Sequence, residues 1–329
     1  MLSLILAVGL IISQEPSVGV APFIAISSQP ADTVNALLWY PTLSEARDTA
    51  LGLQLARIAY RAPIAPSSGQ YPIILISHGT GGNEVGHIDL AMALVRAGFL
   101  VLSVRHPGDN SSDRSGLGTD IQFYGRSHHV GLALDRLIGD SLWGPHIDPN
   151  RVGFYGFSAG AYTGLTLLGA KPDFNRLTAY CHRHPSHAPY CVDGLNGKVS
   201  LTGRYAEPRV EPRIRAAALV APAFAFLFNG VMLEKIQTPI FVARADSDMV
   251  VIEPDNVTWL AGHVRLAEPV FLVPGAGHYI FLAPCSTALA ARVPSICVDP
   301  PGVDRVAVHT ALNARLVRFF QRRLGDGLQ

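Results

Sequence analysis

The chain has 329 residues, 49% hydrophobic and 16% charged, which is enough for one large core. Its formal net charge is +1 with no run of like charge, which removes any electrostatic case for nucleic acid or an acidic membrane surface. No low-complexity tract and no internal repeat is visible.

In chain order, residues 2–12 form an apolar run that is too short to cross a bilayer but long enough for the core of an export signal. No Lys or Arg precedes it and no A-x-A site follows, so a first buried strand is the competing reading. We place a possible leader at 1–19 and one domain at 20–329. Segments 20–27 and 34–40 read as an antiparallel opening pair joined by the turn residues Ser28 to Asp32. Residues 43–70 read as a polar connection with a helical patch at 51–58. Residues 72–77 form a fully apolar strand, the pattern of a parallel strand covered on both faces. It ends in His78-Gly79-Thr80-Gly81-Gly82. A helix at 84–97, a strand at 99–104, a loop at 106–113 and a helix at 121–139 follow, then a short buried strand from Arg151.

Strand and helix alternating at this spacing predict an α/β fold with a mostly parallel sheet. Residues 173–214, rich in Arg, His, Pro and Tyr, break the rhythm and read as an inserted cap. The sheet resumes at 216–220, with a helical stretch at 224–236, a strand at 239–243, a helix at 256–264 and a strand at 269–273. A last helix runs from the N-cap Asp304 to about 324.

The short strand that starts at Arg151 runs into the turn Gly156-Phe157-Ser158-Ala159-Gly160, and a helix is expected from Ala161. This is the pattern of a sharp strand-to-helix turn that holds a serine hydroxyl clear of the sheet. A serine so displayed needs a base, and the base an orienting acid. In this chain order both should follow later strands. His278 comes after the glycine-rich turn that closes the last strand and is the candidate base. The acid is Asp248 or Asp246; we prefer Asp248 and give Asp246 a loop-orienting role. An oxyanion needs two N–H donors: Ala159, and Thr80 with Gly81 as its substitute. Phe157, Phe224, Phe226 and Tyr279 are candidate pocket walls on position alone, although core packing suits Phe224 and Phe226 better.

Cys181 and Cys191, and Cys285 and Cys297, form two local pairs in irregular sequence. Cys-x-x-Cys spacing is absent, so we expect two disulfides and no zinc. Disulfides point to a secreted or periplasmic protein, with a cytoplasmic one as the alternative.

The segments Ser77 to Gly82, His106 to Ser111, Asp148 to Gly160, Gly277 to Cys285 and Asp299 to Arg305 resemble the α/β-hydrolase superfamily. Within it the likeness is to exported bacterial proteins called predicted dienelactone hydrolases, related to platelet-activating-factor acetylhydrolases. The resemblance implies a Ser-Asp-His esterase without cofactor or metal, acting on a small-molecule ester or lipid. True dienelactone hydrolases carry a cysteine nucleophile where this chain has Ser158, so the family label does not name the substrate. The expected function is carboxylic ester hydrolysis through an acyl-enzyme. The alternatives are a phospholipase A2-like lipid esterase and a hydrolase-fold binding protein without catalysis.

Overall fold

The computed structural model describes residues 16–28, 30–67, 69–192 and 198–325. The apolar run at 2–12, and with it most of the expected leader, lies outside the described residues.

The chain opens with an antiparallel pair, β1 (Ser17–Ser28) and β2 (Ala31–Thr42). A hairpin follows, β3 (Arg47–Leu51) and β4 (Gln54–Tyr60). This corrects the helical patch expected at 51–58. Gln54, Ala56 and Ile58 point inward while Leu55 and Arg57 are exposed, a period of two. Gly52 at φ +60° opens the two-residue connection, a backbone state that few other residues adopt.

The alternating part runs β5 (Tyr71–Ser77), α1 (Ile88–Arg96), β6 (Leu100–Arg105), α2 (Arg126–Ile138), β7 (Ile147–Phe157) and α3 (Ala159–Leu167). One π-turn, Ile121–Gly125, leads into α2. An excursion with α4 (Asn175–Arg183) separates α3 from β8 (Ile214–Val220). Then come α5 (Gly230–Leu233), β9 (Ile240–Ala245), α6 (Val257–Ala261), β10 (Phe271–Val273), α7 (Thr287–Arg292) and α8 (Arg305–Leu324).

The helix expected at 224–236 is broken. Phe224 sits at φ +60°, residues 225–227 make one tight turn, and extended Asn229 caps α5 by accepting from the Val231 N–H. The aromatic side chains 224, 226 and 228 are buried together, and that packing overrides local helical preference.

The ten strands of the described residues form one sheet in the order β10-β9-β8-β7-β5-β6-β2-β1-β4-β3, parallel from β10 to β6. The apolar run of β5 now has its reason. Ile73 and Leu75 face the core under α2 and α3, while Ile74 and Ile76 face the core under α1 and α8. Helix α8 commits Leu312, Leu316, Phe319, Phe320 and Leu324 to that second core, each worth about 1.5–3 kcal/mol when buried. Strand β5 lies between β6, reached through α1, and β7, reached through α2. Succession reverses there, and the C-terminal ends of β5 and β7 border the crevice where such sheets bind ligands. Among the described residues, no helix is long and apolar enough to cross a membrane.

Candidate active site

Ser158 stands between the end of β7 and the start of α3, at φ 54° and ψ −117°. Helix α3 begins at Ala159, two residues earlier than the sequence implied, because Ser158 itself is the non-helical cap. The flanking glycines are obligatory on steric grounds. A Cβ on Gly156 would lie 2.2 Å from the Gly160 carbonyl oxygen, and one on Gly160 would lie 2.0 Å from that of Ser77. Backbone packs on backbone at both positions, so neither clash is relieved by a side-chain rotation. Strain of this kind persists only where the surroundings over-determine it.

His278 opens a short turn after Gly277, just beyond β10. Its Nε2 lies 3.0 Å from Ser158 Oγ and its Nδ1 2.6 Å from Asp248 Oδ2. The carboxylate needs a hydrogen on Nδ1, which leaves the Nε2 lone pair facing the serine hydroxyl. Asp248 Oδ1 is fixed by the N–H groups of Val250 and Val251, at 2.8 and 2.7 Å. Asp246 does not reach the histidine; its Oδ1 accepts from Gly275 N–H at 2.6 Å and from Ser247 Oγ at 3.2 Å. The two carboxylates thus divide the work: one orients the imidazole, the other ties the 246–251 loop to the turn that carries it. Both Ser158 and His278 are buried, with the Phe157 ring 4.8 Å from the imidazole. Tyr279, partly exposed, meets it edge-on at 5.4 Å.

The loop after β5 carries the other half of the site. Thr80 Oγ1 accepts from Gln122 Nε2 at 3.1 Å. Gly81 N–H donates to Asp109 Oδ1 at 2.8 Å and is therefore spent. Among the described residues, the N–H groups of Thr80 and Ala159 have no backbone acceptor. Thr80 thus keeps an N–H without a backbone acceptor, whereas that of Gly81 is engaged. His78 does not face the serine. Its Nδ1 bonds the Gly79 carbonyl at 2.7 Å and its Nε2 accepts from His106 N–H at 3.3 Å, so it shapes the loop. Burial, then the Arg126 charge, hold His78 well below the ordinary histidine range, which keeps it neutral.

Phe224 and Phe226 belong to a buried aromatic cluster. Phe226 stacks on Tyr180 at 3.9 Å and Phe224 meets Tyr190 at 4.5 Å. These partners come from the excursion after α3, which also reaches the 253–257 region through Arg183 and His184 to Asp255, each at 2.7 Å. Cys181–Cys191 closes this segment and Cys285–Cys297 closes the stretch before α8, with S–S distances of 1.99 and 2.04 Å. Among the described residues, no cluster of three or more His, Cys, Asp or Glu side chains is arranged to hold a metal ion.

Sequence reasoning passed over Gln122, Asp109 and Arg126. The last had a legible signal. Positions 123, 126, 130, 134 and 137 form the inward stripe of the helical segment, and a lone arginine among apolar residues on such a stripe demands a partner.

The sequence matches no protein-family model and no curated protein. Among solved structures, the chain is similar to a ferulic acid esterase from Streptomyces cinnamoneus. The TM-score is 0.65 at 16% identity, over 95% of this chain and 91% of that one. At that identity the likeness speaks for architecture, and the mixed sheet with its flanking helices is of the α/β-hydrolase type.

Proposed function

We propose that the chain is a serine hydrolase of carboxylic esters. The observation that carries this reading is the hydrogen-bonded line from Ser158 Oγ through His278 to Asp248, built on a strained turn at the N-terminus of α3. His278 Nε2 takes the hydroxyl proton as Ser158 Oγ attacks the ester carbonyl carbon. Asp248 stabilises the imidazolium that forms. The tetrahedral oxyanion is met by the N–H groups of Ala159 and Thr80, each such donor being worth about 10²–10³ in turnover. Collapse expels the alcohol, which takes the proton from His278, and leaves an acyl group on Ser158. Water, deprotonated by the same imidazole, attacks the acyl carbon and releases the acid.

The similar fold of a ferulic acid esterase supports an ester as substrate. Two loop-closing disulfides favour an oxidising compartment, so we place the protein outside the cytoplasm. The excursion after α3 acts as the cap of this reading. The resemblance to dienelactone hydrolase-like and acetylhydrolase-like proteins adds short acyl esters and sn-2 acyl lipids to the substrates to be tried. A panel of p-nitrophenyl esters of increasing acyl length, with short-chain sn-2 phospholipids alongside, tests the reading. Turnover abolished by Ser158→Ala is expected. A folded wild-type chain inert on the whole panel would contradict it, and lipid turnover far above that of every simple ester would move the assignment to a lipid esterase.

A further inference from the structure

Behind the serine lies a buried ion pair that the reaction just described does not use. Arg126, the first residue of α2, and Asp109, from the loop after β6, are 1% and 0% exposed. Arg126 Nη1 donates to Asp109 Oδ2 at 2.7 Å. Other side-chain bonds of the pair run to the loop after β5. Asp109 Oδ1 accepts from Gly81 N–H at 2.8 Å, and Arg126 Nη2 donates to the His78 carbonyl and, at 3.3 Å, to Ser77 Oγ. The loop that presents Thr80 is thus gripped at one backbone atom before it and one after it. Arg126 Nε donates to Thr163 Oγ1 at 3.1 Å, and that hydroxyl donates to the Ala159 carbonyl at 3.0 Å. The same guanidinium therefore reaches both strand-end segments that carry the two N–H donors.

We propose that the Arg126–Asp109 pair is a positioning device that sets the spacing of the two oxyanion donors, Thr80 N–H on the β5 loop and Ala159 N–H on α3. This rests on the serine-hydrolase reading and extends it to residues that touch no substrate. Two physical arguments support it. A buried ion pair is poor value as a stabiliser, since apolar residues of like volume commonly hold a core as well, so its retention calls for another use. And an oxyanion hole works only if its donors are fixed before charge develops, because donors that must reorganise lose most of their effect. Hydrogen bonds from one rigid, forked cation fix direction as well as distance, which apolar packing does not.

The test compares Asp109→Asn, Thr163→Val and Thr163→Ser with the wild type. Three quantities are read: kcat, KM, and the Kd of phenylboronic acid. That probe forms a B–O bond to Ser158 Oγ, the hydroxyl proton passes to His278, and the resulting tetrahedral boronate places an oxygen where the oxyanion would sit. For Asp109→Asn we expect kcat to fall about 10- to 100-fold, KM to stay within about twofold, and the boronate Kd to rise in parallel with the kcat loss. Thr163→Val should show the same pattern at about 3- to 10-fold, and Thr163→Ser should restore wild-type values. A folded Asp109→Asn with kcat and boronate Kd within twofold of wild type overturns the proposal. So does a kcat loss with unchanged boronate binding, or a change confined to KM. If Asp109→Asn does not fold, the Thr163 pair decides: equal behaviour of the valine and serine variants overturns it, and loss in valine alone supports it. A wild type that neither turns over esters nor reacts with a fluorophosphonate would instead sink the serine-hydrolase reading, a separate outcome.

Discussion

Among the described residues, the buried imidazoles of His278 and His309 each set Nδ1 against a carboxylate, and they differ in what stands on the other side of the ring. His278 Nδ1 lies 2.6 Å from Asp248, and His309 Nδ1 lies 2.6 Å from Asp89. Beyond the first imidazole stands the Ser158 hydroxyl at 3.0 Å; beyond the second stands the Ile280 carbonyl at 2.8 Å. A hydroxyl can give up its proton to a ring nitrogen, whereas a carbonyl can only accept. The second pair is therefore a tie. It joins α8 to α1 and to the turn after His278, with Asn313 also donating to Asp89 at 2.6 Å. Burial pushes the Asp89 carboxyl up, but its hydrogen bonds and the nearby His309 outweigh this and hold it below the ordinary aspartate value. A histidine and an aspartate in contact do not make a catalytic pair; the atom on the far side of the ring decides.

The largest effect that tests this contrast comes from exchanging each histidine for asparagine. His278→Asn should lower kcat on the order of 10⁵–10⁶-fold with the melting temperature little changed. His309→Asn should leave kcat within a few-fold and cost about 1–3 kcal/mol in urea unfolding. Similar kinetic losses in both variants would erase the distinction. Next in size is the choice between the carboxylates. Asp248→Asn should cost about 10⁴-fold in kcat, as loss of the orienting acid does elsewhere. Asp246→Asn, which weakens only the tie to Gly275 N–H, should cost far less, and steady-state kinetics on one ester reads both.

A smaller effect concerns stability against pH. His78, His106 and His129 are held well below the ordinary histidine range by burial and then by neighbouring positive charge. Burial lowers His87 to about 4. Each is neutral when folded, while the unfolded chain takes up a proton below about pH 6.5. Stability is therefore full above that pH and is lost as pH falls from about 6.5 toward each depressed value. The slope should be about 1.4 kcal/mol per pH unit per histidine. His87→Asn should flatten the urea-derived slope between about pH 6 and pH 4 by roughly one proton. An unchanged slope would mean that His87 does not stay neutral in the fold.

The same contrast shows what the sequence could and could not disclose. The serine turn was legible because its sterics write themselves into glycine spacing at 156 and 160. The alternating strands and helices were legible because β5 is apolar on both faces and α8 on one. The expectation that Ser158, Asp248 and His278 would meet followed from their order at successive strand ends. Asp246 and Asp248 lie two residues apart in one turn, so only coordinates tell which carboxylate faces the imidazole. The hairpin of β3 and β4 was hidden because its alternation includes a buried glutamine and outward leucines at 53 and 55. The break at Phe224 was hidden because tertiary aromatic packing, not local preference, sets that backbone. Asp109 and Arg126 lie 17 residues apart in different elements, and nothing in one dimension announces their pairing.

The central claim is that Ser158 carries a nucleophilic hydroxyl. Covalent labelling with a fluorophosphonate, located by peptide mass mapping, tests it most directly. The account predicts one adduct per folded chain, on the peptide containing Ser158, and none in Ser158→Ala. An unlabelled but folded wild type, or labelling that persists undiminished in Ser158→Ala, would contradict it.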